Sequence, residues 1–161
     1  MRKMMPKKSL DREELLIDAM RRSIAKRGYS ATSLSDIISE TGGSRRNIYK
    51  AFGDKRGLLN AAIERAARDI VETSFDVPDD QAPRDWLIAM GVSTMKAVLN
   101  PELVSLFRIL IAEQMTDEQT GRQILMAGPE RFVDQLMKWL IARNNDGTLQ
   151  VEAPNVTAPV T

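Results

Sequence analysis

The sequence predicts an all-α protein on three observations. In several windows of its 161 residues, apolar side chains recur at the three- and four-residue spacing of a helix face. Glycine, asparagine and proline close those windows where helices commonly stop. No segment alternates apolar and polar residues for long enough to form a strand, and no internal repeat is visible.

The first window, from about Asp11 to Arg27, places Leu16, Ala19, Met20, Ser23 and Ile24 on one face. Asp11 and Glu14 form the pattern of a capping pair at its start, and Gly28 is a natural stop. A second, short helix follows Thr32 or Ser33, either of which can cap it, with Asp36 three residues beyond Ser33. Leu34, Ile37 and Ile38 are its apolar positions. It ends at Thr41-Gly42-Gly43, because glycine adopts the left-handed backbone that closes a helix. Ser44 then offers an oxygen to cap a third helix, Arg45 to Phe52. Gly53-Asp54 ends that one, and a longer helix rich in Ala and Ile runs from Lys55 to about Ser74.

The polar, proline-containing stretch 76–83 precedes a helix over about 84–99 that carries Trp86, Leu87, Met90, Thr94, Ala97 and Val98. Asn100-Pro101 stops it and starts another. There Leu103, Val104, Leu106, Phe107, Ile109, Leu110 and Ile111 are apolar nearly all round, the pattern of a helix buried on most sides. Thr116 to Gln123 reads as a polar interval. The last helix, about Pro129 to Asn144, has the wide stripe Phe132, Val133, Leu136, Met137, Leu140 and Ile141 and stops at Asn145-Asp-Gly147. Residues 151–161 hold two prolines, little charge and no helical period, and are expected to be a disordered tail.

Composition narrows the chemistry. The chain contains no cysteine and no histidine, which removes disulfides, thiolate nucleophiles, imidazole bases and Cys/His metal sites. No metal and no cofactor is expected. Carboxylate pairs such as Asp79 with Asp80, or Asp117 with Glu118, fall in polar connecting segments where a solvated loop explains them, so an enzyme is not expected. Met1 to Lys8 is basic but is not followed by the run of about 7–15 apolar residues that a signal peptide needs. Arg108 interrupts the most apolar stretch well short of the roughly 18 residues of a membrane span. A soluble, cytoplasmic protein with no membrane partner is the expectation. The net charge of +1 hides an asymmetry: residues 1–60 carry 14 Lys and Arg against 7 Asp and Glu, and the remainder 9 against 15. Such a split points to a polyanion-binding part and a separate partner-binding part.

At about 100° per residue, the third helix sets Ile48, Ala51 and Phe52 on one side and Arg46, Tyr49 and Lys50 on the other, with Arg45 and Asn47 flanking the polar face. Two arginines in a first turn oppose the positive end of the helix dipole, at a cost of about 0.3–1 kcal/mol each when exposed. Selection for stability alone favours Asp or Glu there, so the violation suits a helix end that must face an anion. A short helix behind a glycine turn has the size that enters the DNA major groove. Arginine bonds guanine O6 and N7, asparagine bonds adenine N6 and N7, and lysine or a tyrosine hydroxyl holds phosphate.

Between Glu13 and Leu59 the chain carries Gly28-Tyr29, Thr32-Ser33, Asp36-Ile37, Thr41-Gly42-Gly43-Ser44, Ile48-Tyr49, Phe52, and Lys55 with Leu58. In order and spacing these positions resemble the N-terminal domain of the TetR (tetracycline-repressor) family of bacterial transcription regulators. The resemblance implies a three-helix DNA-binding domain over residues 1–60, with a helix-turn-helix made by the second and third helices. The fourth joins it to a helical effector-binding and dimerisation domain over residues 61–150. Double-stranded operator DNA is then expected to meet Thr32, Ser33, Ser44, Arg45, Arg46, Asn47, Tyr49, Lys50 and Lys55. Residues 44–52 match the recognition helix, and Tyr49 and Lys55 match positions used against phosphate. Ile38 and Thr41 stand where the family usually has alanine, Gly43 where valine is usual, and Arg46 where a small residue is common. These departures bear on which operator is read and not on the fold. Ile38 is expected to shift how the two helices cross, and Gly43 to give up one apolar contact.

Pro101-Glu-Leu103, Arg108 to Glu113 and Gly128-Pro129-Glu130-Arg131 resemble one branch of the family's C-terminal domains. Trp86, Met90, Phe107, Ile111, Met115, Met126, Phe132 and Met137 are candidates to line a pocket for a small hydrophobic effector, since methionine and aromatic side chains make adaptable apolar walls. The implied function is a ligand-responsive regulator, most often a repressor, whose ligand biases the orientation of the DNA-binding domain. A competing reading keeps the helices and makes the basic region a docking surface for an acidic protein, which predicts binding without base discrimination. Family members are generally homodimers, with one helix-turn-helix per half-site, and pair through two further C-terminal helices. Here the helical pattern stops at Gly147, so the chain is expected to be shortened and to dimerise weakly, through the stripe of its last helix with Trp139 beside it.

Overall fold

The computed structural model describes residues 7–112 and 118–150. Among them the chain forms eight helices and no strand: α1 (Lys7–Arg27), α2 (Leu34–Thr41), α3 (Arg45–Phe52), α4 (Lys55–Phe75), α5 (Pro83–Val98), α6 (Pro101–Ala112), α7 (Glu118–Ala127) and α8 (Pro129–Asn145). The all-α expectation holds. The expected tail at 151–161, Met115 and Asp117 lie outside the described residues.

Three elements differ from expectation. Helix α1 begins at Lys7, so Asp11 and Glu14 fall within it and not at its start; no glycine or proline interrupts the residues between. The polar interval conceals α7. Of its described side chains only Ile124 is buried, too short an apolar pattern to show a helical period. Helix α6 is apolar nearly all round yet buries only Leu103 and Leu106, while Ile111 is 74% exposed. It lies against α1, α4 and α5 among the described elements.

Helix α4 is the axis of the fold and packs against α1, α3, α5, α6, α7 and α8. Its buried Ala62, Ala66 and Ala67 let neighbouring helices approach, and Leu58, Leu59 and Ile63 fill the space between them. One core runs from Leu16, Ala19, Met20 and Ile24 of α1 through Ile37 and Ile48 to Leu103, Leu106 and Ile124. Full burial of each Leu or Ile is worth roughly 1.5–3 kcal/mol relative to exposure, so this cluster is what orders the first three helices on α4. The boundary expected after residue 60 falls inside α4, and the core crosses it.

Ion pairs reinforce the junction of α1 with α4 and α6. The Arg21 guanidinium donates to Asp69 at 2.6 Å and to Glu102 at 2.7 Å. Arg65 donates to the other Asp69 oxygen at 2.7 Å and to Glu14 at 2.8 Å. Partial burial opposes the charge on Arg21, but its bonds to Glu102 and Asp69 outweigh burial and hold its pKa above the ordinary arginine value. These side chains remain partly exposed, so the pairs set helix positions more than they add stability. Among the described residues no helix is long and apolar enough to cross a membrane.

Candidate nucleic-acid interface

Local rules assemble the helix-turn-helix. Ser33 caps α2 in a reciprocal box: the Asp36 N–H donates to Ser33 Oγ at 3.1 Å, and the Ser33 hydroxyl and N–H donate to Asp36 Oδ2 at 2.8 and 3.2 Å. The Ser33 hydroxyl and then its N–H, with Arg27 at 3.4 Å, hold the Asp36 carboxyl below its ordinary pKa. The stability this adds is present above the usual value of 3.8 and is lost as pH falls through the depressed one. Behind the cap, the Thr32 hydroxyl donates to the Gly28 carbonyl at 2.9 Å and meets Ser23 Oγ at 3.0 Å, which accepts from Arg27 at 2.9 Å. Thr32 is only 2% exposed. In this arrangement the side chain expected to meet DNA is instead buried, its hydroxyl linking α1 to α2.

Helix α2 ends at Gly42, whose N–H donates to the Ile38 carbonyl at 2.8 Å, and Gly43 carries the chain onward at φ +116°. Ser44 takes the N-cap position of α3 in extended backbone, but its side chain makes no capping bond. Its carbonyl accepts from the Asn47 N–H at 3.0 Å instead, and the residue stays exposed. Helix α3 has one buried side chain, Ile48, with Phe52 half-buried against the core. Ala51, expected on the inner side, is exposed, because α3 meets α2 and α4 along a strip narrower than half its circumference. A side chain at Gly57 would overlap the Phe52 carbonyl, so the start of α4 closes on the end of α3 as tightly as backbone allows.

Arg46, Asn47, Tyr49 and Lys50 stand together on the exposed surface of α3, and Tyr49 is 52% exposed. None of these side chains has a hydrogen bond or ion pair among the described residues. Arg45 turns back, its Nη2 donating to Ser35 Oγ at 2.7 Å, which ties α3 to α2. Lys55 is not free: its ammonium donates to the Tyr29 carbonyl at 2.7 Å and lies 4.1 Å from the centre of the Tyr29 ring. It ties α4 to the α1–α2 turn before it can serve any phosphate. Sequence reasoning did not find Ser35 or Tyr29 as partners. Both contacts close across a turn, and no local spacing signals them.

A second site lies among α4, α5, α6, α7 and α8. An apolar cavity of about 300 Å³ is bounded by Ala67, Ile70 and Val71 of α4, Val98 of α5, Phe107 of α6 and Phe132 of α8, with Thr94, Ile124, Gly128 and Pro129 completing the wall. Thr94 donates its hydroxyl to the Met90 carbonyl at 2.8 Å and lends the wall its methyl. Of the expected lining residues, Phe107 and Phe132 reach the cavity. Trp86 instead stacks on Trp139 with ring centroids 4.0 Å apart, and Met90 is buried beneath Thr94. Ile111 and Met126 are 74% and 55% exposed, and Met137 is half-buried away from the wall. Those five side chains do not line this cavity. The phase of α7 turns Ile124 inward and Met126 outward, and Ile111, one turn beyond Phe107, is exposed. Asp79 is committed elsewhere: it accepts from Trp139 Nε1 at 3.2 Å and pairs with Arg143 at 2.6 Å, pinning the α4–α5 connection to α8.

Comparison with known proteins agrees with this division. The family described as "Bacterial regulatory proteins, tetR family" matches residues 16–62, and "AefR-like transcriptional repressor, C-terminal domain" matches residues 85–160. The HTH-type transcriptional regulator BetI of Stenotrophomonas maltophilia is 37% identical over 92 residues, which are 53% of this chain and 46% of that one. The HTH-type transcriptional repressor AcnR of Corynebacterium efficiens is 27% identical over 157 residues, 91% of this chain and 73% of that one. The chain thus spans less than half the length of the Stenotrophomonas relative. A TetR-family structure from Mesorhizobium loti superposes with a TM-score of 0.74 at 22% identity, over 92% of this chain and 76% of that one. One from Marinobacter aquaeolei gives 0.61 at 18% identity, over 91% and 90%. At these identities the solved structures speak for the fold alone. The two family matches fall in order on the helices that carry the exposed α3 face and on those that enclose the cavity, and the chain belongs to the TetR family of bacterial regulatory proteins.

Proposed function

We propose that the chain is a sequence-specific, ligand-responsive transcriptional repressor that reads an operator in the major groove with α3, acting as a cytoplasmic homodimer. The surface of α3 carries this reading: Arg46, Asn47, Tyr49 and Lys50 are exposed side by side, without partners among the described residues, on a helix seated by Ile48. Ser33, Ser44 and Arg45 flank that surface. Residues 1–60 serve DNA, residues 61–150 serve effector and pairing, and a small hydrophobic effector fills the 300 Å³ cavity. The names of the C-terminal family and of the Corynebacterium relative support repression as the sign.

Selection of bound fragments from genomic DNA tests the reading and supplies the operator. Enrichment of one palindromic motif is the expected result; equal retention of all fragments would favour the docking alternative. With the operator in hand, Arg46→Ala is expected to cost about 1–3 kcal/mol and to relax choice at one base pair. Unchanged affinity and selectivity would remove Arg46 from the interface.

Pairing is assigned to α8, which keeps no side chain buried and leaves Val133 and Ile141 51% and 53% exposed. A dimer held by this partly exposed stripe is weak, so operator affinity is expected to rise with protein concentration. Sedimentation across a concentration series checks this. Ile141→Asp is expected to leave only monomer, and a tight dimer indifferent to that change would place the interface elsewhere.

A further inference from the structure

The turn between α2 and α3 holds a guanidinium that no contact within the described chain employs. Where a side chain would grow from Gly43, Arg12 of α1 is already present: a Cβ there would lie 2.5 Å from Arg12 Nη2 and 3.3 Å from its Cζ. Gly43 also takes φ +116°, a backbone that other residues rarely adopt. The backbone here therefore strains the valine that the family resemblance leads one to expect, and the flexible end of Arg12 lies in the room its side chain would enter. Arg12 is exposed and has no hydrogen bond or ion pair among the described residues.

As a filler of that space arginine is a poor choice, since an apolar residue buries better and loses less rotamer freedom. The surroundings are also of like charge. Helix α3 contributes Arg45, Arg46 and Lys50 and no acidic residue, and Arg45 is met only by the Ser35 hydroxyl. Glu40, near the end of α2, is taken by Arg22 at 2.7 Å. Like charges on neighbouring elements repel one another in the free protein, and no described carboxylate is paired with Arg12, Arg45, Arg46 or Lys50. The repulsion is relieved when a polyanion lies across them.

We infer that Arg12 binds a DNA phosphate. When α3 enters the groove, the Arg12 guanidinium, admitted to the α2–α3 turn because Gly43 has no side chain, bonds a backbone phosphodiester beside it. A guanidinium can hold two phosphate oxygens at once, so the contact fixes the orientation of the helix without reading a base. The inference rests on the DNA-binding reading above and adds to it a contact from outside the helix-turn-helix.

Fluorescence anisotropy on the full chain, with the selected operator and a shuffled duplex across a salt series, tests it. Arg12→Gln is expected to weaken both duplexes alike and to flatten the slope of log affinity against log salt by about 0.9, with base preference retained. Arg12→Lys is expected to keep the slope, and Gly43→Ala, which displaces the guanidinium, to lose it as Arg12→Gln does. Arg12→Gln alters only an exposed side chain, so the test stands even if Gly43→Ala fails to fold. An unchanged slope in Arg12→Gln with operator preference intact overturns the assignment, as does a loss of base preference at one position. A wild-type protein that prefers no fragment over another overturns the DNA-binding reading itself.

Discussion

Replacing Ile48 with alanine is expected to abolish operator binding without removing any group that faces DNA. Helix α3 is eight residues long, and helices shorter than about 12–15 residues are marginal in water even with favourable sequences. Its order therefore comes from packing, and Ile48, fully buried, is its one buried side chain. Truncating a buried Ile to Ala costs about 2–5 kcal/mol, the lost transfer energy plus the cavity left behind. Domains of this kind have about 5–15 kcal/mol in all, and only the half-buried Phe52 would be left to seat the helix, too little to keep it ordered. We expect the melting temperature to fall by roughly 5–15 °C. Hydrogen exchange is expected to show the α3 amides losing protection while those of α4 keep theirs. Arg46→Ala provides the contrast, changing operator affinity while leaving both readouts where they were. If Ile48→Ala keeps α3 protected and the operator bound, then α3 is seated by something other than this side chain.

That contrast also shows what the sequence made legible. Ile48 and Arg46 fall on opposite sides of α3 by periodicity alone, and the structure separates them in the same way, one buried and one exposed. Ser33 with Asp36 was legible because a capping box is a local pattern. Thr32 and Lys55 were not, although both stand at positions where the family resemblance points to DNA. Their hydrogen bonds go to Gly28, Ser23 and Tyr29, across turns whose geometry no local spacing encodes. Helix α7 was hidden for a different reason, since a helix with one buried side chain among those described carries almost no hydrophobic period. The cavity was legible only as a tendency of the C-terminal half. Of the methionines that suggested its wall, Met126 faces solvent and Met90 the core, and alanine, isoleucine and valine of α4 border it, residues whose composition signals nothing but packing.

Filling the cavity is expected to uncouple the protein from its effector. Val98 stands at the rim, 39% exposed, so a larger side chain there can swing into the 300 Å³ space without moving a helix. Ala67 is a worse place to add bulk, because a Cβ on Gly128 would already lie 3.2 Å from its own. A hydrophobic compound at a hundred times its Kd stabilises the native state by about 2.7 kcal/mol, or roughly 5–10 °C in Tm for a chain of this size. Val98→Phe is expected to lose that shift while binding operator as wild type does. Phe132 of the wall lies 5.1 Å from Phe75, which lies 6.0 Å from Trp86, itself stacked on Trp139. The chain has two tryptophans, and their fluorescence is expected to respond to the cavity through this chain of rings. Ligand is also expected to weaken operator binding in wild type and not in Val98→Phe. Phe107 in the wall and Glu102, bonded to Arg21 of α1, belong to one helix, and a ligand that moves α6 must strain or break that bond. A compound that shifts Tm, fluorescence and operator affinity equally in both proteins would show that its site is not this cavity.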